Sequence, residues 1–338
     1  MGCASSCQTK EPSRIRNPNR FRNTALSITY PLSNKYDPNV LLEWESAHKT
    51  EKYHWWPILD KDTGQEDYIN NLFARGGGID KYDRLCGTQA LEYQKKHHRI
   101  PMDSNRKDKF WAGFCDKAAT LSCLYKYPQK HVTACFNGKT MEFSPRDIEA
   151  LLICVCENSI RRGLTVFYGS RNNHSDEKLK TIGDKFKSLV KSEPLPLELL
   201  EILRRFSRET EPFVMDIDNG DAVWNYPYDS VLVTKESNKE YLDYLPSKGR
   251  NTVMRFQIKS EGYPEKNMDI KGYVNYNKNF VEQGWISKTN PDFLWKQYPQ
   301  EVYWHGKSKM NPFIDCYFVY SIYCQSLSPE NKIVKLIQ

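Results

Sequence analysis

Hydrophobic and polar residues follow two different patterns along the chain, and the change falls near residue 210. Upstream, apolar residues recur at helical spacing: in SPRDIEALLICVCENSI, Ile148, Leu151, Leu152 and Val155 are three or four positions apart. Downstream, segments such as TVMRFQIKS are rich in Val, Ile and aromatic residues and are separated by turn residues, which is typical of strands. The two patterns predict an α+β fold, in which a helical part packs on an antiparallel sheet.

Local signals place the predicted elements. Ser144, followed by Pro145, caps one helix, and a second helix is predicted for DPNVLLEWESAHKTEKYH, with Asp37 as its cap. The late segments KGYVNYNKNFVEQGWIS and FIDCYFVYSIYC are predicted as strands. The predicted organisation is an N-terminal arm and linker over 1–36, followed by one domain over 37–338. Within that domain the helical part covers about 37–210 and the β-rich part about 211–338.

Composition narrows the class of protein. With 338 residues, 39% of them hydrophobic, the chain is long enough to bury a large core. No apolar run approaches the roughly 20 residues that span a bilayer, and no secretory signal is visible. The ten cysteines show no framework spacing, so we expect reduced thiols in the cytoplasm. No metal site is expected, because Cys154-x-Cys156 lacks nearby partners for zinc.

The first ten residues, MGCASSCQTK, match the N-myristoylation pattern M-G-x-x-x-[ST], with Gly2 as the acceptor. Cys3 and Cys7 lie beside that glycine and are candidates for palmitoylation. Residues 8–23 then carry five cations against a single acidic residue: Lys10, Arg14, Arg16, Arg20 and Arg22. Because two signals suffice for stable anchoring, we expect attachment to the cytoplasmic face of a membrane. This arm holds +4 of the formal +7, so little charge remains for binding nucleic acid.

Cys115 follows the aromatic run FWAGF and opens a predicted helix of small residues. One face of that helix holds Cys115, Ala118, Ala119, Ser122 and Cys123, so another element is expected to pack closely against it. The N–H groups at the start of a helix stabilise a thiolate, which makes Cys115 a candidate nucleophile and the expected most reactive thiol at pH 7. The competing interpretation is a buried thiol, because free cysteines are among the most buried residues.

Six segments between about residues 50 and 300 resemble, in register, the oomycete transglutaminase elicitor family. DAVWNYPYDSVLVTK holds a V-W-N-x-P core at Val223, Trp224, Asn225 and Pro227. FWAGFCDKAAT resembles the family's segment around the nucleophilic cysteine, and EFSPRDIEALL resembles the helix that follows it. WPILDKDTGQEDYINNLF and IDKYDRLCG resemble the N-terminal helical part, and GWISKTNPDFLW resembles a late strand and turn. The resemblance implies a papain/transglutaminase-like core, with the V-W-N-x-P residues holding the rim of the sheet near the active site.

The resemblance also implies catalytic roles, with one departure from the family pattern. Cys115 matches the nucleophile, and Asp216 matches the aspartate that ends the family's F-V-x-D strand. The position of the family's histidine falls near Glu198. Proton transfer from a thiol of pKa about 8.5 to a glutamate of pKa about 4.3 is uphill by roughly 6 kcal/mol, so Glu198 is a poor base. His174 is the preferred substitute, and His131 is the other candidate.

The resulting hypothesis is a membrane-tethered, transglutaminase-like acyltransferase. Cys115 would attack a glutamine side-chain amide, release ammonia and pass the acyl group to a lysine amine or to water. The expected partners are proteins with exposed Gln and Lys and a membrane surface. Two alternatives stay open: a cysteine hydrolase of the same fold, and a pseudoenzyme that binds a protein partner. No cofactor is expected, since DIDNGD lacks the ligands of an EF-hand, although a calcium dependence stays open.

Overall fold

The computed structural model describes residues 37–60, 71–101, 112–161, 165–169, 194–217, 223–278, 280–299 and 306–335. The helices, in chain order, are α1 Gly78–Cys86, α2 Ala90–His98, α3 Cys115–Leu124, α4 Pro145–Val155, α5 Pro196–Phe206 and α6 Cys316–Leu327. Short 3₁₀ turns lie at Cys156–Asn158, Asn238–Tyr244 and Pro264–Lys266. The strands are β1 Val40–Glu45, β2 Leu59–Asp60, β3 Ile100–Pro101, β4 Val132–Phe136, β5 Lys139–Phe143, β6 Val166–Gly169, β7 Phe213–Asp216, β8 Asn225–Tyr228, β9 Ser230–Glu236, β10 Arg250–Lys259, β11 Met268–Asn277, β12 Phe280–Trp285, β13 Phe293–Lys296 and β14 Val334–Lys335.

The largest sheet is antiparallel throughout, in the strand order β1-β9-β10-β11-β12. Strand β10 buries Met254, Phe256 and Ile258 at every second position, so these side chains face one side of the sheet. Helix α5 covers that side, and its Leu199 and Leu203 pack into the same apolar cluster. The strands predicted in this part of the sequence are confirmed.

A second antiparallel sheet, in the order β6-β13-β7-β8, carries helix α3. Ala119 and Cys123 of α3 pack with Val214 of β7 and with Phe293 and Trp295 of β13. Small side chains on this face let the helix axis come close to the strands. The amino end of α3 therefore lies beside the start of β8.

The helical core is formed by α1, α4 and α6, whose apolar faces pack into one cluster. Helix α4 begins with a capping box, in which Ser144 and Asp147 each accept the backbone N–H of the other. Its predicted apolar face is fully buried, so both the cap and the face are confirmed. The smaller sheet β14-β4-β5 and the parallel pair β2-β3 complete the described structure.

The chain combines helices with largely antiparallel sheets, in agreement with the α+β prediction. The two predicted parts are nevertheless interleaved in space. Strand β1, from the first part, pairs with β9 of the second. Helix α6, near the end of the chain, packs on α4 in the helical core. Order along the sequence therefore does not separate a helical half from a β half.

The helix predicted for DPNVLLEWESAHKTEKYH is wrong, because this segment contains β1. The Asp37 side chain accepts the backbone N–H of Asn39 at 2.8 Å, which makes a turn instead of a helix cap. The next residues pair with β9, and Leu42 and Trp44 pack against the core of the large sheet. Cross-strand pairing and burial outweigh the local helix signal here.

The strand predicted for FIDCYFVYSIYC is also wrong, because most of the segment lies in α6. The Asp315 side chain caps the helix by accepting the Phe318 backbone N–H at 3.0 Å. Buried residues recur at helical intervals, with Phe318, Val319, Ile322 and Tyr323 all in the core. An aromatic, β-branched composition favours a strand on a sheet surface, but a helix buried in a core needs the same residues.

Candidate active site

Cys115 is the first residue of α3, as predicted, and lies where this helix meets β8. The rest of the predicted small face is buried as well: Ala118, Ala119, Ser122 and Cys123. The expectation that another element packs closely on this face is confirmed.

Two polar groups contact the Cys115 sulfur. The Asn225 side-chain amide donates to Sγ, with 3.4 Å between Nδ2 and Sγ. The thiol donates to the Val223 carbonyl oxygen at 3.5 Å. The Trp295 indole N–H donates to Asn225 Oδ1 at 2.8 Å, which fixes the orientation of the amide. The Asn225 amide is thus held with its N–H groups toward the sulfur.

The Cys115 thiol is protonated at neutral pH. Burial is the largest influence and raises its pKa, since the residue is only 7% exposed. The backbone and side-chain N–H groups of Asn225 act in the opposite direction, and the nearby carboxylates of Asp116 and Asp216 raise the pKa further. Because the net pKa is raised, a reaction through this sulfur needs a base to remove the proton.

Asp216 lies at the end of β7, where its Cα is opposite that of Asn225 on β8. It is fully buried, and its Oδ1 accepts the Trp224 backbone N–H at 3.0 Å. The aspartate therefore holds the Trp224–Asn225 segment against the end of β7. Its carboxylate is near enough to Cys115 to raise the pKa of the thiol, and its contact with Trp224 holds the segment that precedes Asn225.

A cleft of about 190 Å³ opens beside Cys115. The rings of Trp55 and Trp224 line it and meet edge to face, with 5.4 Å between their centroids. His54 and Tyr226 also line it. Of the histidines in the part of the chain that the structure describes, His54 is the one that lines this cleft. The cleft combines a thiol, an imidazole and a flat aromatic lining.

Short antiparallel contacts bring His54 to the cleft. The segment after His54 runs alongside the residues that precede α3: the Phe114 N–H donates to the Trp55 carbonyl at 2.7 Å. The Ile58 N–H donates to the Ala112 carbonyl at 3.1 Å. Gly113 has no side chain because a Cβ there would collide with the Trp55 ring. Residues 112–114, just before Cys115, and the segment at Trp55 are therefore one structural unit.

A buried carboxylate anchors the same segment from the other side. Glu149 of α4 accepts the His54 backbone N–H and also the Tyr127 hydroxyl at 2.9 Å. Arg146 donates to Glu149 Oε2 at 2.7 Å, the same oxygen that accepts the Tyr127 hydroxyl. The Arg146 guanidinium lies 4.2 Å from the Trp56 ring centroid. Trp56 is buried with φ of +45°, so the backbone turns sharply just after His54. These contacts fix the backbone that presents the imidazole.

Glu198, at the position of the family histidine, and the two predicted substitutes, His174 and His131, lie away from the cleft or outside the described residues. Glu198 is exposed in the first turn of α5, where its carboxylate accepts the Leu195 backbone N–H at 2.9 Å and caps its own helix. His131 is exposed on the β4–β5 hairpin, with its Nδ1 2.6 Å from Glu142 Oε1. Neither residue lines the Cys115 cleft. His174 falls outside the described residues.

The sequence did contain a signal for His54. It lies in KYHWWP, a segment rich in aromatic residues, as is FWAGF just before Cys115. The helix predicted for this segment and the family resemblance, which places the base downstream of Cys115, both draw attention away from His54. In the V-W-N-x-P motif, Trp224 and Asn225 line the cleft themselves instead of only supporting its rim.

The lipidation candidates Gly2, Cys3 and Cys7 lie outside the described residues. None of the described helices has the length and apolar character needed to cross a bilayer. Within the same residues, no group of three or more His, Cys, Asp or Glu side chains is arranged to hold a metal ion.

No protein-family model, curated protein or solved structure matches the chain. The case for a function therefore depends on the geometry of the cleft and on the sequence motifs.

Burial changes the expected reactivity of Cys115 toward small alkylating agents. Because its pKa is raised, we expect slow alkylation by iodoacetamide at pH 7, with a rate that rises about tenfold per pH unit as the thiolate fraction grows. Among the cysteines in the part of the chain that the structure describes, the half-buried Cys135 should be labelled first at pH 7. Peptide mass mapping after timed labelling between pH 7 and 9 measures both rates. A rate for Cys115 that is fast and independent of pH would mean that the thiolate is already formed.

Proposed function

We propose that this protein is a cysteine acyltransferase that acts on the side-chain amide of protein-bound glutamine. The supporting observation is that the Cys115 thiol, the Asn225 amide and His54 meet at one cleft. Trp55 and Trp224 line this cleft with flat apolar surfaces, which suit a planar carboxamide. Glutamine as the substrate follows from the resemblance of the motifs around Cys115 and Trp224 to the transglutaminase elicitors.

The proposed reaction has two steps. His54 accepts the proton of the Cys115 thiol, and the sulfur attacks the amide carbon of glutamine. The imidazolium returns the proton to the leaving nitrogen, so ammonia departs and a thioester remains. A lysine amine or water then attacks the thioester carbon while His54 accepts one of its protons; the thiolate leaves and takes that proton back, which regenerates the thiol. The N–H groups of Asn225 stabilise negative charge on the sulfur while the proton is on the imidazole.

A papain/transglutaminase-like core is part of the proposal. In support, the cysteine lies at the head of a helix that packs on an antiparallel sheet, and the sheet residues follow the cysteine in the chain. The base departs from that pattern, because His54 precedes the cysteine. Asn225 occupies the position on the sheet that is nearest to the sulfur.

Membrane tethering through Gly2, Cys3, Cys7 and the basic arm is also proposed. Its support is the sequence pattern alone, with two acylation signals and five nearby cations. A tethered enzyme would meet substrates at the cytoplasmic face of a membrane. Gly2→Ala should shift the protein to the soluble fraction of eukaryotic cells, since palmitoylation there follows myristoylation.

Incorporation of a biotinylated primary amine into a glutamine-rich acceptor protein tests the proposal. We expect labelling by the parent and none by Cys115→Ala, because the proposed thioester forms on the Cys115 sulfur. Cys135→Ser is the matched control, a half-buried cysteine away from the cleft, and it should label like the parent. Labelling that survives in Cys115→Ala would exclude this nucleophile. Ammonia release without amine incorporation would favour the hydrolase.

A catalytically silent binding module is the second candidate, and one observation favours it. The side chain that contacts the sulfur is the amide of Asn225, which cannot accept a proton. Such a protein would bind a polypeptide in the cleft and give neither labelling nor ammonia. The amine-incorporation assay separates these outcomes directly.

A further inference from the structure

Three of the residues that line the cleft beside Cys115 are lysine or glutamate, and two of these are lysines. Lys52 and Lys266 line it together with Glu265. Lys52 Nζ lies 3.5 Å from Glu265 Oε1, so this pair is neutral as a unit. The backbone N–H of Glu265, and then Lys52, hold the pKa of the Glu265 carboxyl below its usual value, so it stays charged. Lys266 is left as an additional positive charge.

The structure holds Lys266 in a defined place. The residue ends the 3₁₀ turn Pro264–Lys266, and its carbonyl accepts the Tyr228 hydroxyl at 2.9 Å. Its ammonium lies 4.8 Å from the centroid of the Tyr226 ring, which itself lines the cleft. A cation–π contact of this kind orients the ammonium and leaves its N–H groups able to donate. Lys266 therefore presents a positioned cation to a ligand in the cleft.

The two other carboxylates near the nucleophile, those of Asp116 and Asp216, do not line the cleft. Asp116 follows Cys115 but lies 3.5 Å from the ammonium of Lys117. Asp216 is fully buried behind the Trp224–Asn225 segment and accepts a backbone N–H there. Among the lining residues, the Lys and Glu side chains that a ligand can contact directly are those of Lys52, Glu265 and Lys266.

We infer that the cleft binds an acidic polypeptide segment, with a ligand carboxylate on the Lys266 ammonium and a planar side chain against the Trp55 and Trp224 rings that line the cleft. Under the proposed function, on which this reading of the planar group rests, the acyl donor is a glutamine flanked by Asp or Glu. Charge complementarity gives the selectivity, because a basic flank would meet Lys266 with like charge. The binding itself requires no chemistry at Cys115.

Fluorescence anisotropy with two labelled peptides tests the inference. The peptides share a central glutamine and differ in their flanks, which carry either Asp and Glu or Lys. The full chain carrying Cys115→Ala is used, so that no turnover occurs. We expect the acidic peptide to bind about tenfold tighter at low salt, with a smaller difference at physiological salt because exposed charges are screened. Equal affinities, or no binding of either peptide, would overturn the inference.

Variants at Lys266 separate the cleft from the general charge of the chain. Lys266→Met keeps the length of the side chain and should remove the preference, and Lys266→Glu should reverse it. Lys139→Glu is the matched control, because it makes the same change in net charge on the exposed β4–β5 hairpin. The control should keep the parent's preference. Equal weakening by Lys139→Glu and Lys266→Glu would assign the effect to net charge, including that of the basic arm, and would overturn the inference.

The outcome is distinguishable from that of the proposed function. Selective binding of acidic peptides, without Cys115-dependent amine incorporation by the parent, would exclude the acyltransferase and leave the acidic-ligand site standing. Amine incorporation with equal kcat/KM for acidic and basic flanks would support the acyltransferase and exclude the acidic-ligand site.

Discussion

Replacing His54 by alanine should lower the rate of Cys115-dependent amine incorporation by about 10² to 10⁴, the usual contribution of a general base. The thiol is protonated at neutral pH because burial raises its pKa, so the reaction depends on a group that removes the proton. His54 lines the same cleft, and its backbone is fixed by Glu149 and by the residues before α3. We would measure kcat and KM for the amide substrate in the parent and in the variant. The loss should fall on kcat.

His131→Ala is the matched control, because this imidazole is exposed on the β4–β5 hairpin and pairs with Glu142. It should leave the rate unchanged. His174→Ala extends the test to a histidine outside the described residues. A full rate in His54→Ala together with a large loss in His174→Ala would transfer the role of base to His174. A full rate in all three variants would exclude these three imidazoles as the base.

The accuracy of the sequence predictions depends on whether the signal is local. The capping box of α4 and the small residues of α3 determine structure within one or two turns, and both predictions are confirmed. The position of Glu198 had a local explanation too, since a glutamate two residues after Pro196 caps its own helix. That local role explains why Glu198 does not reach the cleft, which a motif alignment alone did not reveal.

The wrong predictions arise where distant residues decide the structure. Strand β1 forms because β9, nearly two hundred positions along the chain, offers it a pairing edge. Helix α6 forms because the core around α4 can surround an aromatic helix. His54 belongs to the same class, since the hydrogen bond from Phe114 to Trp55 brings it to the cleft that Cys115 lines, across about sixty residues. Such pairings leave no periodic pattern in the sequence.

Asn225→Ala should lower the rate of amine incorporation by about 10²-fold, the loss typical when one preorganised donor is removed. The Asn225 amide donates to the Cys115 sulfur, and its N–H groups lower the thiol pKa against the effect of burial. Without the side chain, that pKa rises further. The ascending limb of the pH–rate profile should therefore move to higher pH. A purely structural role would lower the rate without moving this limb.

Trp295 and a second substitution at position 225 complete the series. Trp295→Phe keeps the ring in its packed position but removes the N–H that orients the amide, so it should produce a smaller shift of the pH–rate profile in the same direction.

If the parent is inactive, Asn225→His becomes the informative variant, because it places an imidazole on the side chain that contacts the sulfur. A gain of activity there would identify a lost enzyme whose base position now holds an amide. Its continued inactivity, with acidic peptides still bound, would identify a binding module.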